Sequence, residues 1–164
     1  GMTQDEFGRL VSQAHSRLGY SGSAGVQVGK FSALPHGSAT PQVIREGSIL
    51  LIDGGCKVEG YSSDISRTFV LGRPTQKMKD VFEIEFRAQT AALRAARPGL
   101  PCEAVDAAAR KVIVDAGYGP DYKYFSHRVG HGMGMDGHEW PYLLHPGRVR
   151  HPTRGRYGHH RDRR

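Results

Sequence analysis

Cysteine is nearly absent from this chain. Only Cys56 and Cys102 occur, too few for a disulfide scaffold or a cysteine-ligated zinc site, and in keeping with a reducing cytoplasm. Long apolar runs are missing as well. None approaches the ~20 residues that a membrane-spanning helix needs. The opening Gly1-Met2-Thr3-Gln4-Asp5 lacks the basic-then-apolar layout of a secretory signal. Acidic residues are the scarcer charged class, 16 against 23 lysines and arginines, and the formal net charge is +7. That imbalance is local. Residues 146–164 hold seven arginines and one aspartate, which leaves the rest nearly neutral. A uniformly basic domain would point to nucleic acid. Here that expectation is confined to the tail.

What remains is a chain of 164 residues, 38% apolar, with a mean hydropathy of −0.50. It is long enough for one domain with a sizeable core. Residues 1–145 are expected to form that domain and 146–164 a basic, Arg-rich tail. Thr3-Gln4-Asp5-Glu6 reads as a capping box. Phe7, Leu10, Val11, Ala14 and Leu18 follow at helical spacing, and Gly19 stops the helix. Residues 20–35 look loop-like, with a short strand at Val26-Gln27-Val28. A long helix begins at Arg73-Pro74-Thr75 and carries an apolar stripe of Val81, Ile84, Ala88, Ala91, Ala92 and Ala95. Pro98-Gly99 ends it. Pro101-Cys102-Glu103 opens another helix, with Val105, Ala109, Val112 and Ile113 inward and Gly117 as the stop. Cys102 is either a buried small residue or a thiol activated by the helix N-terminus.

Three stretches carry chemistry. Leu34-Pro35-His36-Gly37 sets His36 on a rigid turn, with proline fixing the approach and glycine freeing the exit. Ser48-Ile49-Leu50-Leu51-Ile52, ending in Asp53-Gly54-Gly55, and Tyr61–Val70 read as an antiparallel hairpin. If its turn centres between Val58 and Glu59, Asp53 and Asp64 face each other. Facing carboxylates repel unless a cation lies between them, so the pair suits a metal cradle. Finally, Val129-Gly130-His131-Gly132-Met133-Gly134 runs on to His138-Glu139-Trp140-Pro141. Its alternating glycines let backbone come close to another group, and its two histidines stand seven positions apart.

Together these segments resemble the creatinase/prolidase/aminopeptidase P/methionine aminopeptidase metallopeptidases of the pita-bread fold. The likeness spans about Thr3 to Leu144. It is nearest to the prolidase and Xaa-Pro aminopeptidase branch, through His36 and the His138-Glu139-Trp140-Pro141 run. The resemblance implies an α+β fold, a curved and mostly antiparallel sheet with helices on its outer face. It implies hydrolysis of the peptide bond before proline by a metal-bound water or hydroxide. Asp53, Asp64 and His131 would be metal ligands. His36 and His138 would contact a proline-containing peptide substrate. Manganese, cobalt, iron or zinc would serve, with two ions in the intact family site.

The family completes its metal site with two further glutamates, whereas the last glutamate here is Glu139. At most one weakly held ion and little hydrolysis are therefore expected of this chain alone. The apolar pattern ends after Leu144, as at a fragment's end or in a shifted reading frame. Without the final strands, an unpaired edge and exposed apolar surface would favour a homodimer. No membrane partner is expected, and a nucleic acid only through the tail. Two other readings stand: a non-catalytic pita-bread module binding peptide or nucleic acid, and a methionine aminopeptidase-like activity.

Overall fold

The computed structural model describes residues 1–35, 37–120 and 122–144. His36 and the basic tail lie outside these residues. The chain forms two compact units. One comprises residues 1–75 with 133–137, the other residues 76–132 with the chain from His138 onward. Among the described residues no helix is long and apolar enough to cross a membrane.

The first unit opens with helix α1, Gln4–Arg17, capped as expected. Thr3 N–H donates to Glu6 Oε2 at 2.7 Å, and Glu6 N–H donates to Thr3 Oγ1 at 3.3 Å. Strand β1, Ser21–Val28, pairs antiparallel with β2, Ile49–Val58, from Ser21↔Lys57 to Val28↔Leu50. On its other side β2 pairs with β3, Tyr61–Ser62, and β4, Ile65–Val70. A short 3-10 turn, Gly29–Ala33, follows β1. Gln4 and Gln42 are buried and satisfy one another's surroundings. Gln42 N–H donates to Gln4 Oε1, and Val28 N–H donates to Gln42 Oε1, both at 2.7 Å.

Strands β1 and β2 are both longer than their sequences suggest. β1 begins at Ser21 and not at Val26, because its first half is serine, glycine and alanine without apolar alternation. Smallness is what the place demands. A Cβ on Gly22 would lie 2.6 Å from the His15 ring and 2.9 Å from Cys56 Cβ. β2 likewise runs through Asp53-Gly54-Gly55 to Val58. These glycines are close approaches within a strand and do not end it. A Cβ on Gly54 would sit 2.3 Å from Ser23 O, and one on Gly55 would sit 2.0 Å from Ser63 O.

The second unit contains helices α2, Gln76–Ala95, and α3, Cys102–Asp115, and a ribbon of β5, Gly130–Gly132, with β6, Glu139–Leu143. Its core is Ala88, Ala92, Val105 and Ala109, joined by Ala96, Val112, Ile113, Phe125, Val129 and Leu143. Alanines at the contact let the helices approach closely. Val81, expected inward, is 40% exposed. The core cluster begins at Ala88, nearly two turns further along.

Candidate functional site

Asp53 and Asp64 are set by the turn between β2 and β3. Glu59 and Gly60 have φ of 51° and 87°, so both central residues are left-handed, as in a two-residue type I′ hairpin turn. The turn therefore centres one residue later than the sequence reading placed it. Val58 pairs with Tyr61, Lys57 with Ser62 and, in β4, Asp53 with Ser66. The expected facing of Asp53 and Asp64 is corrected: Asp53 faces Ser66, whose Oγ donates to Asp53 Oδ1 at 2.6 Å. Asp64 falls in the break between β3 and β4. There Ser63 folds onto Cys56, donating N–H to Cys56 O at 2.9 Å and accepting from Cys56 N–H at 3.0 Å. Two residues before Ser66, Asp64 is a diagonal neighbour of Asp53, a relation that in regular pairs spans ~7–8 Å. Both carboxylates are exposed.

His131 and His138 come together in the second unit. Pairing runs Gly130↔Leu143, His131↔Tyr142 and Gly132↔Glu139, with an irregularity between His131 and Gly132. A Cβ on Gly132 would lie 2.2 Å from Trp140 O, so only glycine fits there. The two imidazole rings stand 4.2 Å apart at 56°. His131 is half-buried and His138 exposed. His131 Nδ1 lies 2.9 Å from Gly132 O. With the proton on Nδ1 this is a hydrogen bond, and Nε2 is then the nitrogen that carries the lone pair. The intervening residues 133–137 belong to the first unit. Gly134 O accepts from Ser62 N–H at 2.7 Å, and Met135 O accepts from Lys57 Nζ at 3.2 Å.

A further pair was not singled out from the sequence. Asp106 is fully buried, and Arg110 nearly so at 8% exposure. Arg110 Nε donates to Asp106 Oδ2 at 2.6 Å. The guanidinium also donates to Phe125 O and His127 O. Val129 N–H donates to Asp106 Oδ1 at 3.2 Å. The signal was present: an acid and an arginine four apart, each directly following an inward residue, Val105 or Ala109, on an alanine-rich helix.

The donor types of Asp53, Asp64 and His131 suit a divalent ion. Among the described residues no three histidine, cysteine, aspartate or glutamate side chains gather to hold one ion. No catalytic step is therefore derived through a metal. Burial pushes the Cys102 thiol up, which opposes an activated thiolate and leaves the buried small residue. The second unit also holds a largely apolar cavity of about 390 Å³, lined by Ala88, Ala92, Leu93, Val129 and Leu143 among others. Glu85 stands on its wall, where loss of hydration pushes the carboxyl up.

The sequence is 47% identical over 116 residues to the Xaa-Pro dipeptidase of Lactobacillus delbrueckii subsp. lactis, covering 71% of this chain and 31% of the relative. The fold matches the prolidase from Pyrococcus furiosus at a TM-score of 0.79 and 36% identity, covering 88% of this chain and 43% of the other. It also matches Escherichia coli aminopeptidase P at a TM-score of 0.73, over 94% of this chain and 40% of the other. At 23% identity that last likeness bears on the fold alone. The architecture is thus the α+β pita-bread type. The chain spans roughly a third of the Lactobacillus enzyme's length. The family model described as metallopeptidase family M24 matches residues 1–158. With a match that takes in every element from α1 to β6, the chain belongs to metallopeptidase family M24.

Proposed function

We propose that this chain carries part of the site of a peptidase that cleaves the bond before proline. The observation that supports this most directly is the likeness to Xaa-Pro dipeptidase at 47% identity. In this reading residues 1–145 are a partial catalytic domain and residues 146–164 a basic tail. Asp53, Asp64 and His131 are the ligands this chain contributes to a divalent metal, be it manganese, cobalt, iron or zinc. Held by these residues, a divalent ion would supply Lewis acidity for the hydrolysis. His36 and His138 face the substrate, where an imidazole N–H can donate to the oxygen that gains charge as the carbonyl is attacked. The ring contact of His138 with His131, at 4.2 Å, supports a shared role.

The three ligands offer two negative charges, so a second ion is under-neutralised. On its own the chain holds one ion weakly and turns over little. Exposed Phe82, Phe86 and Leu93, at 53%, 52% and 71%, support association into a homodimer. The scarcity of cysteine supports a cytoplasmic setting.

Calorimetric titration with manganese or cobalt, and Xaa-Pro dipeptide hydrolysis on the same sample, tests the reading. One weak site that disappears in Asp53→Asn and in His131→Ala is expected. Ion binding unchanged by both substitutions would overturn the ligand assignment. Light scattering that gives a monodisperse monomer would overturn the homodimer.

A further inference from the structure

We propose that the buried Asp106–Arg110 pair is the device that positions His131 and His138, acting through the backbone that leads into β5. Its partners are spaced in a telling way. Arg110 donates to Phe125 O and to His127 O, and Asp106 accepts from Val129 N–H. These are alternate residues of one run, and the next alternate residue is His131. Residues 125–129 precede the strand, so the anchors at 125 and 127 fix the path of the run, and Val129, held where it enters β5, fixes the phase in which His131 emerges two residues on. A slip of one residue would turn His131 to the opposite face.

The pair is built for this task and not only for packing. The guanidinium is wedged between rings, 3.3 Å from the Tyr122 centroid and 4.3 Å from that of Phe125. Tyr122 Oη donates to Asp106 Oδ2 at 3.4 Å. Val129 N–H is shared between Asp106 Oδ1 and Leu143 O, the latter at 3.1 Å, so the residue that the carboxylate holds is also the one that bonds to β6. Arg110 makes four hydrogen bonds from its planar fork, two to the carboxylate and one to each carbonyl, and an ammonium has only three donors. Asp106 and Arg110 touch neither histidine, and they act as positioning residues.

The consequence for catalysis rests on the peptidase reading above, whereas the placement of the histidines does not. The test is therefore read on the full, metal-free chain by NMR. The His131 ring signals carry the displacement that the His138 ring imposes at 4.2 Å. In Arg110→Lys this displacement is expected to be lost while the helices persist by circular dichroism. In Val105→Ala, a core cavity variant that leaves the clamp intact, it is expected to stay. Should Val105→Ala move the His131 signals as far as Arg110→Lys does, the pair is only structural and the proposal fails. If Arg110→Lys does not fold, the unaltered chain decides. Val129 N–H should exchange slowly with solvent deuterium, and exchange as fast as in exposed loops would overturn the clamp. A second measurement separates this inference from the proposed function. Where wild-type chain binds cobalt, Arg110→Lys should weaken it about tenfold, as loss of outer-shell support does. No cobalt binding by wild type, with the NMR result intact, would remove the peptidase reading and leave the positioning role standing.

Discussion

The hairpin that carries the carboxylates and the ribbon that carries the histidines are held by opposite means. Around Asp53 the geometry is set by shape. Gly54 and Gly55 bring the backbones of β1 and the β3–β4 break to within distances no Cβ would tolerate. Asp53 accepts from the Ser66 hydroxyl, and both aspartates are exposed. Around His131 the geometry is set by charge. A buried acid and a buried arginine grip three backbone groups of the run that leads into β5. The first arrangement should tolerate altered charge and resist added volume. The second should be sensitive to altered charge, and at Gly132, where a Cβ would lie 2.2 Å from Trp140 O, to added volume as well.

The largest effect is expected where charge does the holding. Asp106→Ala leaves a guanidinium buried without its carboxylate, and loss of one member of a buried pair costs roughly 3–5 kcal/mol. Urea unfolding followed by circular dichroism would read it. The matched change in the first unit is Asp53→Asn, at an exposed position. Its effect on stability should stay within about 0.5 kcal/mol, while the metal binding proposed above is lost. Equal losses for the two would erase the contrast between the regions.

Added volume at Gly55 should disturb the first unit alone. Gly55→Ala puts a methyl group 2.0 Å from Ser63 O, and a backbone atom cannot swing aside as a side chain can. Overpacking of this sort costs roughly 1–3 kcal/mol, and here it should also break the Asp53–Ser66 hydrogen bond. Loss of protection at the β2–β4 amides, with β5–β6 unchanged, is the expected exchange pattern. Uniform loss across both units would show that the two are held as one.

How much of this was legible in the sequence follows the same division. Helices α1, α2 and α3 could be read because capping and apolar periodicity are local signals, as the Thr3–Glu6 box shows. The hairpin was legible as a hairpin, but its register was not. That was decided by Glu59 adopting φ 51° beside Gly60, and a glutamate gives no hint that it will do so. Strand β1 was under-read because its outer half is built from small residues, whose reason lies in the packing of His15 and the distant Cys56 against Gly22. The histidines stood out by motif. The ion pair behind them did not, since the partners of Asp106 and Arg110 are backbone groups 15 to 23 residues away.

A smaller effect, about 1 kcal/mol, is expected from Thr3→Ala, which removes the hydroxyl cap of α1. Thermal unfolding would measure it. The same cap gives a pH dependence. The Thr3 backbone N–H and then its hydroxyl hold the Glu6 carboxyl below the usual glutamate range. A carboxyl lowered on folding adds stability above its unfolded value and loses it as pH falls through the folded one. Acid should therefore weaken the wild-type chain more steeply than Glu6→Gln. Identical acid profiles would show that the box is open in solution.

The smallest effect offers the sharpest control, because α3 holds two ion pairs at the same spacing. Lys111 Nζ lies 2.7 Å from Asp115 Oδ2, nearly the 2.6 Å between Arg110 Nε and Asp106 Oδ2. Distance alone would rank them alike. Their surroundings differ: the Lys111 and Asp115 side chains are 76% and 60% exposed, those of Arg110 and Asp106 9% and 0%. Water screens the outer pair, whose lysine also precedes its acid, the less favourable order along a helix. Lys111→Ala should cost no more than about 0.5 kcal/mol and leave the His131 signals in place. A loss comparable to that of Asp106→Ala would mean that removing any charge from α3 destabilises the unit, and that burial is not what gives the inner pair its weight.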